Sequence, residues 1–136
     1  VAIVHNGQIT DYYSWRNRLT RQGYRFLTYN DSELIAVWVS DRMKQGLSME
    51  QALTRSIDEI DGVFTFMIGT PETIGFAKDR FAMKPLVVVN ELGKIAAATE
   101  EQAVRRVVLD EDCDIINYDG PCQFGTWGVG NRRAAA

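Results

Sequence analysis

Hydrophobic positions recur at two spacings along this chain, and the spacing divides it into helical and extended segments. An apolar run, Val1-Ala2-Ile3-Val4, predicts a buried strand already under way, and His5-Asn6-Gly7 reads as a turn after it. Tyr12, Trp15 and Leu19 then fall on one helical face, with Thr10 or Asp11 as cap and Gly23 as stop. Tyr24 to Thr28 reads as a short strand. A second helix is expected from the Asn30-Asp31-Ser32 cluster to about Met43, with Leu34, Val37, Trp38 and Val39 as its apolar face. Glu33 stands three residues after Asn30, the spacing of a capping box. Gly46 ends that helix, Ser48 and Gln51 form a second capping-box pair, and Leu53, Ile57 and Ile60 recur at helical spacing.

After Asp61-Gly62 the rhythm becomes extended. Val63 to Gly69 is rich in β-branched and aromatic residues, and Thr70-Pro71 leads into a further strand around Ile74 to Lys78, which together predict a hairpin. Leu86 to Val89 and Ile95 to Thr99 make another strand pair around Glu91 to Gly93, followed by a short helix over Glu100 to Val108. The order, a strand, then helices, then several adjacent strands, predicts an α+β fold rather than regular βαβ alternation. No repeat or low-complexity linker divides the chain. The stretch from about Asp110 to Gly130 differs in composition and is expected to pack outside this core, and Arg132 to Ala136 to fray.

Composition narrows the function. With 136 residues and 46% hydrophobic content the chain can bury one core. Its longest apolar runs are far short of the ~20 residues that span a bilayer. Eighteen acidic residues against fifteen basic give a net charge of −3, with no basic stripe to neutralise a phosphate backbone, which argues against nucleic acid and against a membrane as partners. Cys113 and Cys122 suit neither a disulfide framework nor a zinc site, and His5 is the one histidine, so a reducing, cytoplasmic setting and no metal or other cofactor are expected. No signal peptide is visible. There is no initiating Met, and an upstream segment is expected.

Taken singly, the polar residues each carry an ordinary alternative. After a strand, the Asn6 side-chain amide and the Gly7 backbone N–H could both point at a developing oxyanion, or form a plain Asn-Gly turn. Asp31 at a helix start could cap it or bind a ligand's ammonium group. His5 could act as a base or be a satisfied structural residue. Asp79 and Arg80 could pair to fix the turn into Lys84-Pro85. Neither cysteine has a neighbouring His to activate it, and Trp15 and Trp38 sit at apolar, core-like positions.

In order and spacing the motifs are more specific. Val4-His5-Asn6-Gly7-Gln8-Ile9, Arg21-Gln22-Gly23-Tyr24 and Asn30-Asp31-Ser32-Glu33 are followed by Ile60-Asp61-Gly62-Val63-Phe64, then Ala77-Lys78-Asp79-Arg80 with Lys84-Pro85-Leu86, and finally Ala98-Thr99-Glu100. Over roughly residues 1 to 108 this series resembles the carboxy-terminal part of a class II glutamine amidotransferase domain, of the amino-terminal-nucleophile hydrolase type. The resemblance implies part of a four-layer αββα sandwich over residues 1–108, with 109–136 as a carboxy-terminal extension that could dock a partner.

By the same resemblance, a cysteine at a mature amino terminus attacks the glutamine side-chain amide, and ammonia passes to an acceptor synthase domain or subunit. Asn6 and Gly7 would form the oxyanion hole and Asp31 would hold the α-ammonium of glutamine, with Asp79 and Lys84 in the scaffold. Residue 1 is Val, so the nucleophile is expected in the upstream segment of the same domain and this chain alone should be inactive. Ala82 stands where the family commonly has Gly, and Thr99 where it has Ser. Among the family's branches, an ammonia-supplying subunit of a glutamate-synthase-like complex is the expectation. The alternative is a non-catalytic relic of the fold used for binding or assembly.

Overall fold

A computed structural model of the chain describes residues 1–91, 94–108 and 113–128. In chain order the elements are β1 (Ala2–Ile9), α1 (Tyr12–Arg21), α2 (Asp31–Lys44), α3 (Met49–Glu59), β2 (Gly62–Gly69), β3 (Thr73–Lys78), β4 (Val87–Glu91), β5 (Lys94–Ala98), α4 (Glu101–Val107), β6 (Ile115–Asn117) and β7 (Phe124–Gly128). The strands form one four-stranded sheet in the order β1-β2-β3-β7 and one three-stranded sheet in the order β5-β4-β6, and every pairing is antiparallel.

Alternation along each strand sends its side chains into different layers. On β2, Phe64, Phe66 and Ile68 pack against Leu34, Ile35 and Trp38 of α2 and Leu53 and Ile57 of α3, whereas Met67 faces the second sheet. On β4, Val88 meets Phe76 and Trp127 between the sheets, while Val87 and Val89 turn to Val104 of α4 and to Cys113. Helices, sheet, sheet and helix therefore stack as the αββα arrangement, an α+β fold as the segment order predicts. Full burial of each large apolar side chain contributes roughly 1.5–3 kcal/mol, so the three interfaces hold the layers in place. Trp15 and Trp38 are both buried and meet edge to face at 6.1 Å.

Helix starts follow local chemistry. The Asn30 side chain accepts the Ser32 N–H at 2.8 Å and caps α2. Ser48 and Gln51 form the expected capping box at α3.

Four expectations need correction. His5-Asn6-Gly7 is not a turn: β1 runs straight through it, with His5 opposite Phe66, Asn6 opposite Thr65 and Gly7 opposite Phe64. Residues 24–28 form no strand. Instead Glu33 leaves the capping-box role and accepts the Leu27 and Thr28 N–H groups, each at 2.7 Å, and the Thr28 hydroxyl at 2.6 Å, so a side chain satisfies backbone that a neighbouring strand would otherwise pair. The apolar face of α2 is wider than expected: Ile35 is fully buried as well, and Val37 packs half-buried against the same core. The stretch expected to pack outside the core supplies β6 beside β4 and β7 beside β3, with Trp127 buried between the sheets. Leu92 and Gly93, residues 109–112 and 129–131, and the stretch 132–136 expected to fray lie outside the described residues.

Candidate functional site

The pairing phase of β1 decides where its amides point. Thr10 donates to the Asp61 carbonyl at 3.0 Å, which places the hydrogen-bonded pairs with β2 at even-numbered β1 positions. Phe64, opposite Gly7, directs both its backbone groups to Asp79: its carbonyl accepts the Asp79 N–H at 3.0 Å and its N–H donates to Asp79 Oδ2 at 2.5 Å. Gly7 N–H and Ile9 N–H are consequently turned away from β2, to the outer edge of the sheet. Ile9 N–H meets Asp31 Oδ2 there at 3.3 Å. Position 7 accepts only glycine: φ is 145°, and a Cβ would lie 2.0 Å from the Val63 carbonyl oxygen and 2.7 Å from Phe64 Cα.

Asp31 occupies the first turn of α2 but does not cap it, because Asn30 does. Its Oδ1 lies 3.4 Å from His5 Nδ1, and the side chain remains 24% exposed, open to a ligand. His5 shares that face of β1 with Ile3. Its side chain is only 1% exposed, Nδ1 is also 3.2 Å from Ser32 Oγ, and Nε2 is buried with no hydrogen-bond partner among the described residues. Burial lowers the imidazole pKa below its usual 6.5, against the opposing pull of Asp31, so the ring is neutral at pH 7. A base role at solvent is thus removed: the ring faces a carboxylate inside the domain.

Asn6 lies on the opposite face. With Val4 it lines a cleft of about 170 Å³ at the junction of the two sheets, closed by Met67, Leu86, Ala97 and Thr99. The floor is apolar, and Asn6 and Thr99 are polar groups on its wall. Thr65, also in the wall, donates its hydroxyl to the Lys84 carbonyl at 2.8 Å, tying the 79–85 loop to β2. Sequence reasoning quoted Thr99 within a motif but gave it no place in a site.

Asp79, expected to pair with Arg80, instead accepts three backbone amides: Phe64 N–H on Oδ2, and Phe81 N–H at 2.5 Å and Ala82 N–H at 3.1 Å on Oδ1. Arg80 is exposed. Ala82 takes a left-handed φ of 53°, which explains a preference for Gly there. The neighbouring Lys78 is fully buried, donates Nζ to the Tyr118 carbonyl, and has its pKa lowered by burial against the raising effect of Asp119 and Asp79. Cys113 is buried between the second sheet and α4, Cys122 is exposed before β7, and neither lines the Asn6 cleft. Among the described residues no group of three or more His, Cys, Asp or Glu could hold a metal ion, and no helix is long and apolar enough to cross a membrane.

The edge of β1 therefore offers an outward amide at Gly7 and, two residues on, a carboxylate docked on Ile9. Two strand residues span about 7 Å. A small ligand carrying a carbonyl at one end and a cation at the other matches that pair of groups, with the Asn6 amide close by.

A family model described as a glutamine amidotransferase domain matches residues 1–106. A putative glutamine amidotransferase of Methanothermobacter thermautotrophicus is 41% identical over 117 residues, which cover 86% of this chain and 38% of that protein. The glutamine amidotransferase-like protein GlxB of Rhizobium meliloti is 36% identical over 103 residues, 76% of this chain and 34% of that protein. The chain thus spans about a third of the length of these relatives. Among solved structures, glutamine phosphoribosylpyrophosphate amidotransferase from B. subtilis, complexed with ADP and GMP, superposes with a TM-score of 0.74 at 21% identity, over 92% of this chain and 26% of that one.

Proposed function

This chain belongs to the glutamine amidotransferase domain family, and on that premise we propose that it forms the glutamine-binding part of a domain that hydrolyses glutamine to glutamate and ammonia for transfer to an acceptor. The supporting observation is the placement of Asp31, whose carboxylate is held against the β1 edge that carries the Gly7 N–H although α2 already has its cap. Glutamine has its α-ammonium and amide carbon about 5 Å apart when extended, which the ~7 Å separation of the two strand amides accommodates once hydrogen-bond lengths are added.

In this assignment Asp31 binds the α-ammonium, and the Asn6 amide and Gly7 N–H receive the carbonyl oxygen. A cysteine thiolate attacks the amide carbon, negative charge gathers on that oxygen, and the two donors stabilise it without reorganising. The C–N bond breaks with a proton delivered to nitrogen, ammonia leaves, and water resolves the γ-glutamyl thioester to glutamate and free thiol. Neither Cys113 nor Cys122 lines the cleft, so we assign the nucleophile to a cysteine outside residues 1–136. Residues 109–136 we take as a carboxy-terminal extension of the family domain. The acceptor is a synthase domain or subunit. None of the proteins named above is described as a glutamate synthase, so the glutamate-synthase-like acceptor expected from sequence gains no support from them.

Full-length protein carrying Asp31→Asn tests the assignment. Losing a hydrogen bond between charged groups costs about 1.5–3 kcal/mol, so the KM for glutamine should rise roughly tenfold to a hundredfold while the fold persists by circular dichroism. Labelling by a diazoketone analogue of glutamine should map to a cysteine. If no cysteine is labelled and no ammonia is released, the protein is a non-catalytic descendant of the fold, used for binding or assembly.

A further inference from the structure

Resting on the assignment of Asp31 as the ammonium site, we infer that His5 is a positioning residue that orients the Asp31 carboxylate and so helps select substrates with a free α-amino group. His5 is among the residues that line the Asn6 cleft, but its side chain is only 1% exposed and its Nδ1 is turned to the start of α2, so its effect on substrate runs through Asp31. What it does touch is the pair Asp31 and Ser32 at the start of α2, with Nδ1 at 3.4 Å from Asp31 Oδ1 and 3.2 Å from Ser32 Oγ.

The tautomer follows from those contacts. With the proton on Nδ1, the ring donates towards the carboxylate and leaves only the Nε2 lone pair buried and unpaired. With the proton on Nε2, a buried N–H would have no acceptor and the Nδ1 lone pair would face Asp31, which is the costlier arrangement on both counts. The neutral Nδ1–H form is therefore the one present, consistent with burial holding the pKa below its ordinary value.

Asp31 is then flanked on each oxygen: His5 Nδ1, hydrogen-bonded to Ser32 Oγ at 3.2 Å, stands 3.4 Å from Oδ1, and the Ile9 N–H donates to Oδ2. Both groups belong to β1, and they flank Asn6 and Gly7 in sequence. A single strand thereby sets both the proposed oxyanion donors and the orientation of the carboxylate, whose side chain stays 24% exposed. Removing the His5 donor frees the carboxylate to rotate about its side-chain torsions, which weakens recognition of the ammonium while leaving the oxyanion donors in place.

The test compares glutamine with glutaramate, the same molecule without its α-amino group, as substrates of the full-length protein. In His5→Leu the preference for glutamine, measured as the ratio of kcat/KM values, should fall by about tenfold, through KM for glutamine, with kcat changed by less than about threefold. His5→Asn, which puts an amide N–H near the Nδ1 position, should restore most of the preference, whereas His5→Gln, with its amide near the Nε2 position, should not. If the Leu variant does not fold, the contrast between Asn and Gln decides. An unchanged ratio in His5→Leu, equal behaviour of Asn and Gln, or a loss confined to kcat overturns the role. Asp31→Asn runs alongside: a ratio that it leaves unchanged refutes the ammonium site itself and this inference with it, whereas a ratio that falls in Asp31→Asn but not in His5→Leu refutes the inference alone.

Discussion

Asp79 gathers three backbone amides on one buried carboxylate, and replacing it with Asn isolates what they contribute. The carboxylate is 2% exposed and accepts Phe64 N–H on one oxygen and Phe81 and Ala82 N–H on the other. In Asp79→Asn the remaining oxygen can keep Phe81 and Ala82, and the new NH₂ must then face the Phe64 N–H. One charge-assisted bond, worth about 1.5–3 kcal/mol, is lost and a buried donor is left unpaired at a further ~1–3 kcal/mol. The two terms overlap, and the net expectation is a loss of about 3 kcal/mol. For a domain of 150–250 residues that lowers Tm by roughly 6–12 °C. Urea unfolding of the full-length protein followed by tryptophan fluorescence reads the difference, since Trp15 and Trp38 lie in the same helix–sheet core as Phe64. Arg80→Ala is the control. If Asp79→Asn leaves the unfolding midpoint within error of the parent, or if Arg80→Ala is the variant that unfolds early, the carboxylate acts through the ion pair expected from sequence and the backbone-amide account fails.

Two further changes follow from the same geometry. Ala82→Gly should stabilise the full-length protein by roughly 1 kcal/mol, because a φ of 53° strains any residue with a Cβ; a lower midpoint in urea would show that the loop's conformation costs Ala nothing. His5 should make stability depend on pH in a defined direction. Its folded pKa lies below the ordinary 6.5, so the unfolded chain binds the proton more tightly. Its contribution is complete above pH 6.5 and declines as pH falls from there to the lowered folded value. His5→Asn should flatten that part of the stability profile between pH 7 and pH 5, and an unaltered profile would place the titration elsewhere.

The helices and the two hairpins were legible because burial imposed one period on each: Leu53 and Ile57 recur at helical spacing, and Phe64, Phe66 and Ile68 alternate. The carboxy-terminal strands were not, because their composition answers to packing rather than to strand propensity. Gly125 interrupts β7, yet a Cβ there would lie 2.7 Å from Phe76 Cε1, so the glycine makes room for a ring stacked between sheets. The segment over residues 24–28 misled in the opposite way. Tyr24, Phe26 and Thr28 favour a strand locally, but the carboxylate of Glu33 supplies the acceptors and Arg16 packs over Phe26 and Tyr29, so no partner strand is required.

The candidate site was half-visible for a related reason. Asn-Gly is the strongest short turn signal in the sequence, and the physical cause of that glycine is the approach of β2's backbone, not a reversal of chain direction. Once β1 is continuous, the fate of Asp31 changes too. A helix start needs one good cap, Asn30 provides it, and a second acidic residue beside it is released to reach across to the strand. What sequence could not reveal is the pairing phase. Gly7 stands opposite Phe64, whose two backbone groups are both taken by Asp79, so the Gly7 N–H has no partner on β2 and is left at the outer edge. Asp79 thus reaches the proposed oxyanion donor without touching it. The stability lost in Asp79→Asn and any loss of glutamine turnover in the same variant would therefore share one origin, the backbone of Phe64 opposite Gly7.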